Sequence, residues 1–195
     1  SAFVWNKAQF DLADVKSTKH LLGLFERSHM QFESNRTTDK AGEPSLSEMT
    51  TKAIEMLSQN KKGYFLMVEG GRIDHSHHNG NAYRALDETV ALSNAVRAAA
   101  KMVNLDETLI VVTADHSHTL FIQGYPTRGN NILGLVRENG TSGTLREGYA
   151  KDKFGLPFTT LGYVSGRGYF GASNDQPEGP KRCCAEIRTF EPFSG

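Results

Sequence analysis

Two short stretches of this chain concentrate side chains that bind metal ions. One is Glu69-Gly70-Gly71-Arg72-Ile73-Asp74-His75-Ser76-His77-His78, the other Asp115-His116-Ser117-His118, and together they hold five of the seven histidines. Imidazole nitrogen combined with carboxylate oxygen suits zinc, whereas a carboxylate with waters suits magnesium. Asp74 and His78 stand four positions apart, so on the first turn of a helix they project side by side toward one ion. Glu69 closes an apolar run, a place a carboxylate avoids unless it is paired or ligated, and it is therefore a candidate magnesium ligand. Two metals a few ångströms apart clamp the attacking and leaving oxygens of phosphoryl transfer, so the chemistry indicated is phosphate ester hydrolysis. The plainer alternative is that Asp74 and Asp115 cap helices and the histidines decorate polar loops. Two such tips at matching places in the chain weigh against it.

The elements that must hold these tips can be read from patterning. Tyr64-Phe65-Leu66-Met67-Val68 and Thr108 to Thr113 are short apolar runs, expected as strands buried on both faces. Between them the spacing predicts a helix from about Asn79 to Val103, with Tyr83, Leu86, Val90 and Val96 on its packed face. Strand, helix and strand make the βαβ unit of a parallel sheet, whose ligands bind beyond the carboxyl ends of its strands. The expected fold class is α/β, with both strands inside an α/β sandwich. Upstream, a helix is expected from Asp11 to Phe25, ending in the apolar cluster Leu21, Leu22, Leu24 and Phe25, with a long loop to Pro44. Ser45-Leu46-Ser47-Glu48 matches a capping box and opens a helix to about Gln59, apolar on one face, with Lys52, Glu55 and Gln59 on the other. After Leu120 frequent glycines predict loops and edge strands, and residues 166–195 are expected to be irregular, leaving 1–165 as the α/β domain.

Composition narrows the partners. With 22 Lys+Arg against 22 Asp+Glu the chain is formally neutral, which removes the footprint of nucleic-acid binding. No apolar run approaches the roughly 20 residues that cross a bilayer. The start at Ser1 lacks an initiator Met and reads as an excerpt of a longer sequence. Two adjacent cysteines, Cys183 and Cys184, are too few to fix a redox compartment. Asn35-Arg36-Thr37 and Asn139-Gly140-Thr141 match the pattern of N-glycosylation acceptors.

The run from Glu69 to His75 with His78, followed by Thr113-Ala114-Asp115-His116-Ser117-His118, resembles the metal-binding motifs of alkaline phosphatases, in particular their animal-type branch. Gly23-Leu24-Phe25-Glu26, Tyr83-Arg84-Ala85-Leu86, Gly124-Tyr125-Pro126 with Arg128-Gly129, and Thr159-Thr160-Leu161-Gly162-Tyr163 extend the likeness, which fades after about Phe170. The resemblance implies an α/β/α sandwich with a mainly parallel sheet, incomplete in this chain. It implies two zinc ions, one on Asp74 and His78 and one on Asp115 and His116, with magnesium on Glu69 and His75 near the phosphate or its water shell. It further implies calcium on the Phe25 carbonyl, Glu26 and an acid in the next loop. Glu43 is the candidate there, although the family pattern leads one to expect Asp.

The implied reaction is in-line attack on a small phosphate monoester by a serine lying on one zinc, giving a phosphoserine that hydroxide from the second zinc hydrolyses. The chain departs from the family in lacking an Asp-Ser-Ala nucleophile motif, the Asp that bridges zinc and magnesium, and a Thr-His-x-Gly motif. It is therefore expected to be an internal and C-terminal-side portion of a longer enzyme, inactive alone, with residues 166–195 in a variable crown-type loop. The resemblance also implies an extracellular, GPI-anchored homodimer. Two alternatives stay open: a phosphodiesterase or sulfatase of the same superfamily, and a non-catalytic zinc-binding relative.

Overall fold

The structure is a computed structural model that describes residues 1–139 and 145–164. The irregular segment expected over 166–195 and the Cys183-Cys184 pair lie outside the described residues. The chain divides into two packed units, one of Ser1–Ile73 with Leu86–Asp115, the other of Asp74–Ala85 with His116–Gly195.

In the first unit the chain opens with β1 (Ala2–Val4), α1 (Lys7–Leu12) and β2 (Leu21–Gly23). The strands pair in parallel, Ala2 opposite Leu21 and Val4 opposite Gly23. This corrects the helix expected over 11–25. The Asn6 side chain accepts from the Gln9 N–H at 2.9 Å, which starts the helix early, and Ala13 caps its end. The leucines that follow are a strand, because a ladder with β1 satisfies their backbone groups, a gain that local periodicity cannot display. Phe10 on α1 is buried and meets Phe25 edge-on at 5.8 Å.

A 3₁₀ turn (Glu33–Thr38) leads to α2 (Leu46–Leu57). Its start is the capping box read from the sequence: the Glu48 N–H donates to Ser45 Oγ at 3.2 Å, and the Ser45 N–H to Glu48 Oε2 at 2.7 Å. The polar face of α2 carries Lys52, Glu55 and Gln59 as expected, and two of these side chains bond to the preceding segment. Lys52 Nζ donates to the Ala13 carbonyl at 3.1 Å while lying 4.7 Å from the Phe10 ring centroid, and Gln59 Nε2 donates to the Val15 carbonyl at 2.7 Å. Lys52 thus places its charge at the carboxyl end of α1, where the helix dipole favours a cation.

Residues 64–68 and 108–113 are not strands. Neither joins a ladder among the described residues, and Phe65 and Leu109 are each 87% exposed. The apolar runs are real, but a strand is a property of a pair, and burial on both faces requires neighbours on each side. The intervening helix α4 (Ala82–Met102) forms as expected. Its buried positions are Ala82, Ala85, Glu88 and Ala95, and Val90, expected on the packed face, is exposed.

The second unit carries short antiparallel pairs, in keeping with the glycine-punctuated sequence. β3 (Leu120–Ile122) pairs with β6 (Leu161–Tyr163), Leu120 opposite Tyr163, and β4 (Arg137–Asn139) pairs with β5 (Leu145–Tyr149). Asn130 joins the loops: its amide nitrogen donates to the Leu135 carbonyl and to Thr160 Oγ1, and its oxygen accepts from the Arg137 N–H. The architecture is mixed α/β, incomplete as a sheet. No helix among the described residues is long and apolar enough to cross a membrane.

Candidate metal centre

Asp74 and His78 lie on α3 (Arg72–His78), the helix that follows Gly70-Gly71. How α3 ends fixes where they point. The Gly80 N–H donates to the His77 carbonyl at 2.9 Å and the Asn81 N–H to the Ser76 carbonyl at 2.9 Å, with Gly80 at φ +60. This is a Schellman motif, and its left-handed residue is one that glycine adopts without penalty. Asn81 is fully buried, and its side-chain oxygen accepts from the Arg84 N–H at 3.1 Å, so the residue that closes α3 also opens α4.

One turn of helix brings His78 Nε2 to 3.5 Å from Asp74 Oδ1. The tip after residue 115 supplies two more imidazoles to the same oxygen, His118 Nε2 at 2.7 Å and His116 Nε2 at 3.5 Å. Ligand atoms of Asp74, His78 and His118 all lie within 4.8 Å of one another. The His118 ring is the hub, T-shaped against His78 at 5.0 Å and His116 at 5.1 Å, and stacked on His77 at 4.8 Å. It is also the most covered of the three that reach Asp74, its side chain 16% exposed against 70% for His78.

The hydrogen bond from His118 holds the Asp74 carboxyl below the usual carboxylate range; partial burial opposes this, and the nearby imidazoles reinforce it. Burial lowers the pKa of His77, with His118 adding to the effect. An ionised carboxylate beside several imidazole nitrogens is a donor set for zinc, and in chemistry and spacing these residues fit it. While its Nε2–H donates to Asp74, His118 orients the carboxylate; deprotonated there, it could be a third ligand.

The other residues singled out from the sequence are less gathered. His75 is half-buried on α3 and outside the three-ligand group. Glu69 and Asp115 are exposed and belong to the first unit. Asn35 lies on the 3₁₀ turn, its side-chain oxygen accepting from Ser34 Oγ, and Asn139 ends β4.

A second carboxylate pocket occupies the first unit. Glu43, 2% exposed, accepts the Gln31 N–H at 2.9 Å through Oε2, while its Oε1 has no hydrogen-bond partner among the described residues. Asp39 Oδ2 is buried and likewise unpartnered, and Glu26 accepts from the Gln31 side chain at 3.2 Å. Burial pushes the Glu43 carboxyl up; the Gln31 N–H works against this, and the Asp39 and Glu26 carboxylates add to it. Gly42 shapes the turn before Glu43, at φ +78 with its carbonyl accepting the Lys7 N–H at 2.8 Å; a Cβ there would come within 2.9 Å of the Lys7 Cβ. Arg36, whose guanidinium donates to the Glu43 carbonyl at 3.3 Å, offsets only part of the acidic charge, and oxygen donors with such an excess of negative charge suit calcium.

Sequence reasoning passed over His118 as the nearest partner of Asp74, along with His77 and Asp39. The density of histidine in the two tips was the signal for the first two. Asp39, in a polar loop, had none.

The alkaline phosphatase family profile matches residues 1–152. The tissue-nonspecific alkaline phosphatase of Felis catus is 46% identical over 171 residues, 87% of this chain and 30% of that protein. The membrane-bound alkaline phosphatase of Bombyx mori is 42% identical over 166 residues, 85% of this chain and 28% of that protein. A solved structure of a cold-active alkaline phosphatase from the psychrophile Shewanella sp. aligns with 52% of this chain and 24% of its own, at 30% identity and a TM-score of 0.43. The chain spans about 30% of the length of the relatives it matches.

Proposed function

The chain belongs to the alkaline phosphatase family, and from that premise we propose that it is part of a longer protein that hydrolyses small phosphate monoesters through a phosphoserine intermediate. In this reading Asp74 and His78 hold one zinc, Asp115 and His116 the second, and Glu69 the magnesium, with His75 close to the phosphate or its water shell. Bound zinc supplies Lewis-acid polarisation of the phosphoryl oxygens and lowers the pKa of a coordinated water. His118 holds the Asp74 carboxylate in its ionised form and in one orientation. The Phe25 carbonyl, Glu26 and Glu43 hold calcium, whose charge would offset the burial, and the lesser repulsion from Asp39 and Glu26, that raise the Glu43 pKa.

The observation that carries the reading is the approach of three imidazole Nε2 atoms to within 3.5 Å of one carboxylate oxygen. The 195 residues contain no Asp-Ser-Ala motif, so by themselves they are expected not to turn over esters. We also place the longer protein at the cell surface, GPI-anchored, glycosylated at Asn35 and Asn139 and homodimeric. The family likeness and the two acceptor triplets support this.

The test is zinc titration of the chain against a competing chelator, alongside hydrolysis of an aryl phosphate by the longer protein with and without Asp74→Asn. Zinc uptake by the chain, and turnover that Asp74→Asn abolishes, are expected. Uptake without turnover in the longer protein would point to a non-catalytic relative, and preference for a diester or a sulfate ester would point to another branch of the superfamily. Aryl phosphate turnover by the 195 residues alone would overturn the assignment of their inactivity.

A further inference from the structure

The His118 ring that reaches Asp74 is itself supported from behind. His77 stacks on it with centroids 4.8 Å apart and ring planes 26° from parallel. His77 projects from a seven-residue helix, and stacking alone leaves such a ring free to turn about its terminal torsion. A second contact removes that freedom: His77 Nδ1 and the Tyr163 hydroxyl lie 2.8 Å apart, within hydrogen-bonding distance. Tyr163 is the last residue of β6, which the β3 ladder holds in register opposite Leu120. From a fixed strand position, therefore, one hydroxyl sets the plane of His77, His77 sets the plane of His118, and His118 Nε2 meets Asp74 Oδ1 at 2.7 Å.

We propose that Tyr163 is a positioning residue for this metal centre, acting through its hydroxyl on His77 to hold His118 against Asp74. Its functional meaning rests on the reading of the cluster as a metal site. The ligands His78 and Asp74 are partly open to solvent, whereas Tyr163, His77 and His118 are the more covered, so order enters the site from this side. Groups that orient ligating carboxylates from outside the coordination sphere change metal affinity by about 10–100-fold when removed, and Tyr163, one step further out, falls at the lower end.

The decisive variant is Tyr163→Phe in the full chain, which keeps the ring and deletes the hydroxyl. Two measurements are made on it, long-range ¹H–¹⁵N spectra of the imidazoles without metal, and zinc affinity by chelator competition. We expect the His118 Nε2 resonance to lose its hydrogen-bonded shift and zinc affinity to fall about 10-fold, with the thermal midpoint little changed. His77→Phe, which keeps a stacking ring but has no Nδ1, should reproduce both effects, and the double variant should be no worse than either single one. Should Tyr163→Phe fold poorly, His77→Phe tests the same contact from its other end. A His118 resonance and a zinc affinity equal to wild type in these variants overturn the proposal. If the wild-type chain binds no zinc, the metal reading fails, and the imidazole spectra alone then decide whether Tyr163 positions His118.

Discussion

Asp74 and Glu43 are two carboxylates with charged or titratable neighbours, and they are handled in opposite ways. Asp74 meets imidazoles, accepts a hydrogen bond from one, and ionises more readily than a free aspartate. Glu43 is buried beside two other acids, with one oxygen unpartnered among the described residues, and ionises less readily than a free glutamate. Hydrogen-bonded nitrogen donors stabilise the anion at the first site. At the second, burial and like charge leave the anion exposed to a cost that a bound cation would remove. A carboxylate whose neighbours favour its anion and one whose burial and acidic neighbours outweigh the single nearby guanidinium of Arg36 thus stand on the same chain, and the difference predicts different responses to substitution, metal and acid.

The largest expected effect is at the first site. Asp74→Asn removes the carboxylate on which three imidazoles converge and should weaken zinc binding by more than about 100-fold, beyond the range typical of outer-sphere partners. Zinc affinity within about threefold of wild type would break the comparison. Next comes Glu43→Gln. Calcium at about 100 times its dissociation constant should stabilise the wild-type chain by about 2.7 kcal/mol, and the variant should show none of this in thermal unfolding. Without calcium the same variant should unfold at a temperature equal to or above that of wild type, because it deletes buried like charge.

A smaller effect belongs to Gly80→Ala. The left-handed backbone at φ +60 costs a residue with a Cβ about 1–2 kcal/mol, visible in denaturant unfolding, and a wild-type midpoint would show that the Schellman turn does not fix the end of α3. Smallest are the pH effects, and their signs differ. Asp74 has a folded pKa below the ordinary 3.8 of an aspartate, so its stabilising contribution is complete above that pH and is lost as pH falls through the folded value. Glu43 has a folded pKa above 4.5, so the native state holds its proton longer than the unfolded chain does. Stability therefore declines as pH rises from about 4.5 through the folded value. Metal-free unfolding curves should show Glu43→Gln flattening the decline on the upper side of this window and Asp74→Asn flattening the loss on the acid side. Parallel shifts of both variants would remove the distinction.

The sites were more legible in the sequence than the sheet was. The Asp74 and His78 spacing needs only a helix to become a shared face, and the Ser45 to Glu48 capping box is satisfied within four residues; both are local. His118 joins Asp74 from 44 positions away, and only the crowding of histidine signalled it. The parallel pairing of Ala2–Val4 with Leu21–Gly23 left no mark in periodicity, so the second of these was read as the end of a helix. The apolar runs at 64–68 and 108–113 were read as strands because their composition fits one, yet pairing depends on partners and no run of five or six residues encodes its own. The buried stripe of α4 differs from its apolar pattern for a related reason: Ala82, Ala85 and Ala95 are buried with Glu88, while the bulkier Val90 is exposed.

Those two segments, outside any ladder among the described residues, also give the molecule a measurable isotopic signature. An amide that donates to no ladder exchanges its proton for deuterium at close to the free-peptide rate, whereas the helical amides of α2 and α4 must wait for an opening. Tyr64 to Val68 and Leu109 to Thr113 should therefore label within seconds in this chain. The same amides should turn slow wherever further strands line up beside them, so deuterium uptake at about ten positions would register sheet completion without an activity assay.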